Sequence, residues 1–185
     1  MLNDIGTEEI ETESLILRRF KIDDAKSMFN NYCNDERVTK FLTWTPHKNI
    51  ETTEALLNNW VESYNSPNIY MWAITVKGSN EVIGSIACVN VNTRNSSCSI
   101  GYCLAHDFWG RGYMTEALKD VIKYLFMKVN VNRITAYHDV KNSASGRVMA
   151  KSGMIREGIL RQGAVNNRGE FINIVLYAIL KDDYM

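Results

Sequence analysis

Residues 70–105 hold three strand-like segments with no room between them for a crossover. Residues 70–77 (YMWAITVK) alternate Trp72, Ile74 and Val76 on one side. Residues 81–91 contain the mostly apolar run VIGSIACV, and residues 98–105 read CSIGYCLA. Apolar segments of this length, bounded by turn residues, read as strands. Gly78-Ser79-Asn80 and the polar stretch 92–97 connect them, whereas parallel neighbours need a connection of about a dozen residues or more. This part of the sheet is therefore antiparallel. A doubly wound fold, with a helix after every strand, is excluded.

Directly after the third strand comes FWGRGYMTEAL, residues 108–118. It sets two glycines and an arginine ahead of an amphipathic helix. A helix start leaves about four backbone N–H groups without intrahelical partners and carries the positive end of the macrodipole. Glycines there let a bulky anion approach the main chain without meeting a Cβ, and Arg111 adds a full charge. Such a turn suits a pyrophosphate.

The remaining chain fills in a mixed architecture. Residues 14–20 (SLILRRF) read as a strand with Leu15 and Leu17 on one face. Asp23 or Asp24 is placed to cap a helix through Ala25, Met28, Phe29 and Tyr32. Residues 35–47 are mixed and end in Phe41, Leu42, Trp44 and Pro46, a loop pinned to the core or packed over a site. From Asn49, Thr53, Leu56, Leu57, Trp60, Val61 and Tyr64 recur at helical spacing, stopped by Ser66-Pro67. The helix after the glycine turn should run to about Val129. Residues 133–139 form a strand, Asn142 caps a helix that ends at Gly153, and strands near 154–161 and 171–180 flank a turn at 166–169. The expectation is a single α+β domain over residues 12–182, a mainly antiparallel sheet flanked by helices, behind a polar lead-in at residues 1–11.

Bulk properties narrow the partners. The 21 basic and 21 acidic residues cancel, whereas polyanion binders usually carry a basic excess, so nucleic acid is not the expected partner. No apolar run approaches the roughly 20 residues of a membrane span. The acidic start, MLNDIGTEEIETE, is unlike a signal or transit peptide, which points to the cytoplasm. Cys33, Cys88, Cys98 and Cys103 show no metal-ligand spacing and read as small buried thiols. No metal is expected.

Three nucleotide classes compete for Gly110-Arg111-Gly112. A P-loop requires GxxxxGK[ST], and no lysine follows at that spacing. A dinucleotide fingerprint requires GxGxxG and an acidic residue about twenty positions on; here stand Thr115 and then Asn132-Arg133. The third is coenzyme A. Trp109-Gly110-Arg111-Gly112-Tyr113-Met114 resembles the cofactor motif Q/R-x-x-G-x-G/A of the GNAT superfamily of acyl-CoA-dependent N-acyltransferases, departing at both outer positions. Those departures resemble the subgroup of ribosomal-protein N-terminal acetyltransferases, in which aromatic-Trp-Gly-Lys/Arg-Gly-Tyr-x-Thr-Glu-Ala is usual. The helix 142–154 (NSASGRVMAKSGM), Glu157-Gly158 with Arg161, and the opening T-E-x-L-x-L-R at residues 12–18 match that subgroup too. The resemblance covers about residues 12–182.

It implies a splayed pair of strands, residues 98–105 and 133–139, with the pantetheine arm between them. Backbone groups of Tyr102, Cys103 and Leu104 would pair with the arm. Trp109, Gly110, Arg111, Gly112, Tyr113, Met114 and Thr115 would hold the pyrophosphate, with Lys151 in reach of a phosphate. Asn142 and Ser145 would bond the arm or its thioester end. The implied reaction is direct attack of a neutral amine on acetyl-CoA. Where many relatives carry an acid tyrosine this chain has Met149, and Ser145 is the expected substitute. A glutamate base is replaced by Ser99. Glu116, which can also simply favour the helix dipole, and His138 with Asp139 are what remains, and His138 is taken as the base candidate. A site without an evident base suits an α-amine, already tens of per cent neutral at an ordinary pKa of about 7.7–8.0, better than a lysine near ~10.4. The expected acceptor is a protein N-terminus. A small-molecule amine, or a CoA-binding regulatory domain without turnover, are the alternatives; a monomer or homodimer is compatible with each.

Overall fold

A computed structural model of the chain describes residues 2–184. Eight strands form one sheet in the order β1-β2-β3-β4-β5-β6-β8-β7. They are β1 (Ile10–Glu11), β2 (Leu15–Arg18), β3 (Met71–Val76), β4 (Val82–Asn92), β5 (Ser97–Leu104), β6 (Arg133–Asp139), β7 (Ile155–Val165) and β8 (Phe171–Leu180). The helices are α1 (Ala25–Met28), continued by a π-turn at Phe29–Cys33, α2 (Glu36–Thr39), α3 (Ile50–Ser63), α4 (Tyr113–Tyr124), continued by a second π-turn at Leu125–Val129, α5 (Ser143–Lys151) and α6 (Lys181–Tyr184).

Every neighbouring pair is antiparallel except β5 and β6. The hairpin order expected for residues 70–105 is what forms. Leu15, Leu17, Trp72, Ile74 and Ile86 are fully buried, and the inward face of α4 (Ala117, Leu118, Val121, Ile122) closes over the same core. Burying each such branched aliphatic side chain contributes about 1.5–3 kcal/mol. Trp72 meets Tyr124 edge-on at 5.4 Å.

Several local details differ from the pattern-based expectation. Asp24 does not cap α1; its carboxylate accepts the Lys21 N–H at 2.8 Å and holds the Arg18 guanidinium at 2.8 Å. Residues 36–39 form a short helix capped by Asp35, which accepts the Arg37 N–H. The seventh strand runs to Val165 because a register shift between Leu160 and Ala164 absorbs extra residues. The polar lead-in is tied down: Tyr124 donates to the Gly6 carbonyl at 2.6 Å and the Trp72 indole to the Glu8 carbonyl at 2.7 Å. Satisfied buried donors of this kind fix a polar segment on an apolar wall.

Candidate acetyl-CoA site

The sheet opens where β5 and β6, which run parallel, part. β5 and β6 are paired at Ser97↔Arg133, Cys98↔Ile134 and Ser99↔Thr135. Beyond that β5 runs on to Leu104 and β6 to Asp139 without pairing each other, which leaves a wedge with a β5 backbone wall. Ser99 and Thr135, hydroxyl to hydroxyl at 2.7 Å, mark its apex. Tyr102, Cys103 and Leu104 lie on that wall past the apex. Gly84 makes the neighbouring approach of β4 possible, since a Cβ there would lie 2.5 Å from the Cys103 carbonyl.

The glycine turn follows at the wide end. Gly110 and Gly112 have φ of +77° and +86°, values that favour glycine, and an added Cβ at either would meet nothing within 4 Å. The glycines are thus required by backbone conformation, and the space outside them is open. Gly112 immediately precedes α4, whose first N–H groups point out of the helix start. Arg111 lies over the Phe108 ring, 5.2 Å from its centre. Trp109, at the outer motif position, donates its indole N–H to the Leu104 carbonyl at 2.7 Å. It clamps the turn onto the end of β5.

Beside this helix start lies a cleft of about 390 Å³, lined by Glu13, Gly112, Thr115, Glu116, Lys119, Asp120 and Lys151. Lys151 therefore shares a space with Gly112 and Thr115. Lys119 joins it from one turn further along α4; its i+4 spacing from Thr115 was the available signal. Tyr113 and Met114 differ in placement: Tyr113 is half-buried against Phe108, whereas Met114 is buried in the core. Ser152, whose hydroxyl reaches the Thr115 carbonyl at 3.4 Å, links α5 to α4.

The far wall is built by α5. Asn142 caps it, its Oδ1 accepting the Ser145 N–H at 3.3 Å. The Ser145 hydroxyl lies 2.9 Å from the Tyr102 hydroxyl, which also approaches the Ser145 carbonyl at 3.2 Å. This contact bridges β5 and α5. Burial pushes the Tyr102 phenol up to about 12, with the Ser145 hydrogen bond acting in the opposite direction. Met149 is buried in the core and carries no polar atom into the wedge.

His138 is buried beneath α5 rather than open to the wedge. Its Nδ1 lies 2.7 Å from the Asp139 carbonyl, and a Cβ on Gly146 would meet its Nε2 at 2.5 Å. Gly146 is what lets α5 sit this close to β6. Asp139 accepts the Lys141 N–H at 2.8 Å. Glu116 is also engaged: its Oε1 accepts from the Thr12 hydroxyl at 2.5 Å and from the Ser14 N–H at 2.6 Å. It ties the start of the chain to α4.

The loop at residues 40–49 is held by partners from other segments. The Asn167 amide donates to the Thr39 and Trp44 carbonyls at 3.0 and 3.1 Å, joining the β7–β8 hairpin to the loop. His47 meets the Trp44 ring at a tilt, centroids 5.4 Å apart, with its Nδ1 2.7 Å from the Thr53 hydroxyl and its main-chain N–H bonded to the Cys33 carbonyl. Burial lowers the His47 pKa, so its imidazole is neutral near pH 7. Nothing local in the sequence signalled the Asn167 contacts. No cluster of metal-ligating side chains occurs among the described residues, and no described helix is long and apolar enough to cross a membrane.

Comparison with known proteins agrees with this geometry. Residues 14–155 match the acetyltransferase (GNAT) domain family. An uncharacterized N-acetyltransferase, YoaA of Bacillus subtilis (strain 168), is 30% identical over 172 residues, covering 93% of this chain and 96% of that protein. The [ribosomal protein uS5]-alanine N-acetyltransferase of Escherichia coli (strain K12) is 25% identical over 182 residues, covering 95% and 92%. The solved structure of RimL, a ribosomal L7/L12 alpha-N-protein acetyltransferase in complex with coenzyme A, superposes with a TM-score of 0.83 over 95% of this chain and 99% of that one; at 22% identity it speaks to the fold alone. A match across that much of the chain, on a sheet that splays next to a glycine turn, assigns it: the protein belongs to the GNAT family of N-acetyltransferases.

Proposed function

We propose that the chain moves the acetyl group of acetyl-CoA to the α-amine of a protein N-terminus, of the kind ribosomal-protein acetyltransferases use. Gly110, Arg111, Gly112 and Thr115 hold the pyrophosphate, with Lys119 and Lys151 beside it and Trp109 fixing the turn. Tyr102, Cys103 and Leu104 present backbone groups to the pantetheine arm, and a β5 N–H near Leu104 receives the oxyanion. Asn142 and Ser145 face the thioester end, and His138 positions α5 from below through Gly146.

The observation that carries the choice of acceptor is the engagement of the carboxylates offered as bases. Glu116 and Asp139 each accept a backbone N–H, and Ser99, where the resemblance implied a glutamate, is bonded to Thr135. A lysine side chain near pH 7.4 is about one part in a thousand neutral, a deprotonation of roughly 4 kcal/mol, whereas an α-amine needs less than about 1 kcal/mol. The 25% identity to the uS5-alanine enzyme supports the same class of acceptor.

The test is CoA release from acetyl-CoA with a panel of acceptors: peptides with free alanine or serine N-termini, the same peptides N-terminally blocked with an internal lysine, polyamines and amino sugars. Free α-amines should exceed lysine side chains in kcat/KM by about 100-fold or more at pH 7.4. Faster turnover of a polyamine or amino sugar would reassign the acceptor. Tight acetyl-CoA binding with no acceptor-stimulated release would make this a regulatory CoA-binding domain instead.

A further inference from the structure

Met149 is buried in the core where many relatives carry a tyrosine on this helix, and a tyrosine hydroxyl nonetheless reaches Ser145 from the other wall. It belongs to Tyr102 of β5, 2.9 Å from Ser145 Oγ and 3.2 Å from the Ser145 carbonyl. The carbonyl can only accept and the pair of hydroxyls can bond in either direction, but the contact to Oγ is the shorter of the two. A phenol is also the stronger donor of the two hydroxyls. With the phenol donating to Oγ, the serine proton is free to turn into the wedge.

We propose that Tyr102 is a positioning residue for Ser145: it donates to Oγ and thereby aims the Ser145 proton at the sulfur of the leaving thiolate. The proposal rests on the acetyl-CoA reading above. In the step itself the amine nitrogen forms a bond to the acetyl carbon, the C–S bond breaks with its electron pair on sulfur, and the amine proton passes to water. The hydroxyl pair does not need to surrender a proton. A phenol held near 12 is too weak an acid to protonate a thiolate whose ordinary pKa is about 8.5. The chain Tyr102–Ser145–sulfur acts by hydrogen bonding: it stabilises the thiolate as an anion, and two hydroxyls in series polarise each other. Asn142 keeps the serine main chain in place, since its Oδ1 accepts the Ser145 N–H.

This predicts a property of bound CoA that needs no acceptor. The far-ultraviolet absorbance of the thiolate, followed against pH with CoA saturating the protein, should place the bound thiol below its ordinary ~8.5. Ser145→Ala should return it to that value. Tyr102→Phe should raise it by roughly half a unit to one unit, less than Ser145→Ala, and lower kcat more than it raises the KM for acetyl-CoA. Ser145→Thr, which keeps the hydroxyl, should retain most of the shift. If Tyr102→Phe leaves the thiol titration at the wild-type value while Ser145→Ala moves it, Tyr102 only packs and the proposal fails. If neither moves it, the sulfur lies away from both hydroxyls, and the proposal fails as well. Calorimetry with CoA on the same samples separates these outcomes from loss of the cofactor reading itself, because a wild type that binds no CoA overturns that reading first.

Discussion

The β5–β6 wedge and the loop at residues 40–49 are made in different ways. The wedge is built largely from main chain. Two glycines in the left-handed region, a helix start and an unpaired stretch of strand supply its polar groups, and its few side chains hold these in place. The loop is held by contacts from other segments: the Asn167 amide on the Thr39 and Trp44 carbonyls, the Thr53 hydroxyl on the His47 ring, and the Cys33 carbonyl on the His47 main-chain N–H. A cofactor that does not change among related enzymes can be met by backbone geometry. An acceptor that does change must be met by groups that substitution can alter.

The contrast can be broken most severely at Gly112. Valine there must adopt a φ near +86°, a strain of about 1–3 kcal/mol, and its methyl groups enter the space an anion would occupy. CoA should then cease to raise the melting temperature in a thermal scan; a persisting rise would place the pyrophosphate elsewhere. Glu116→Ala comes next. It leaves the Thr12 hydroxyl and the Ser14 N–H without their charged acceptor, and stability in urea should fall by about 2–3 kcal/mol. Loss of CoA affinity at undiminished stability would instead give Glu116 a direct part in the site.

Asn167→Ala is the matching cut in the loop, under the proposal that the loop borders the acceptor. Two hydrogen bonds to carbonyls are lost, so KM for the acceptor should rise about 5–30-fold with CoA affinity unchanged. An equal loss of CoA affinity would erase the distinction between wedge and loop. The smallest effect concerns His47. Its folded pKa lies below 6.5 because of burial, so the unfolded chain takes up a proton first as pH falls. Stability should therefore drop as pH falls below 6.5, and His47→Gln should flatten that part of the profile. A profile unchanged by the substitution would mean that His47 titrates like a solvated imidazole.

What could be read from the sequence follows the same division. The antiparallel run at residues 70–105, the amphipathic face of α4 and the glycine turn were legible, because alternation, helical spacing and positive-φ glycines are local signals. The roles of Asp24 and Glu116 were not. Each sat where a cap or a dipole partner is expected, and each reaches instead to a polar group outside its own helix. His138 looked open at a strand end; the absence of a Cβ at Gly146 lets α5 descend onto it. Tyr102 was noted for its backbone, while its hydroxyl finds Ser145 only once β5 and α5 face each other. Such pairings depend on tertiary approach, which no spacing within one segment encodes.

The Glu116 contact also orders events in time. Thr12 and Ser14 leave the ribosome about a hundred residues before the carboxylate that accepts from them. At about 5–20 residues per second, roughly 5–20 s separate their synthesis. In the first part of that interval the β2 segment, with Leu15 and Leu17, lacks its β3 neighbour (Met71–Val76), and throughout it lacks the α4 face. The nascent chain carries an apolar strand covered on one face at most until α4 arrives, so chaperone dependence during translation should end close to the point where α4 emerges.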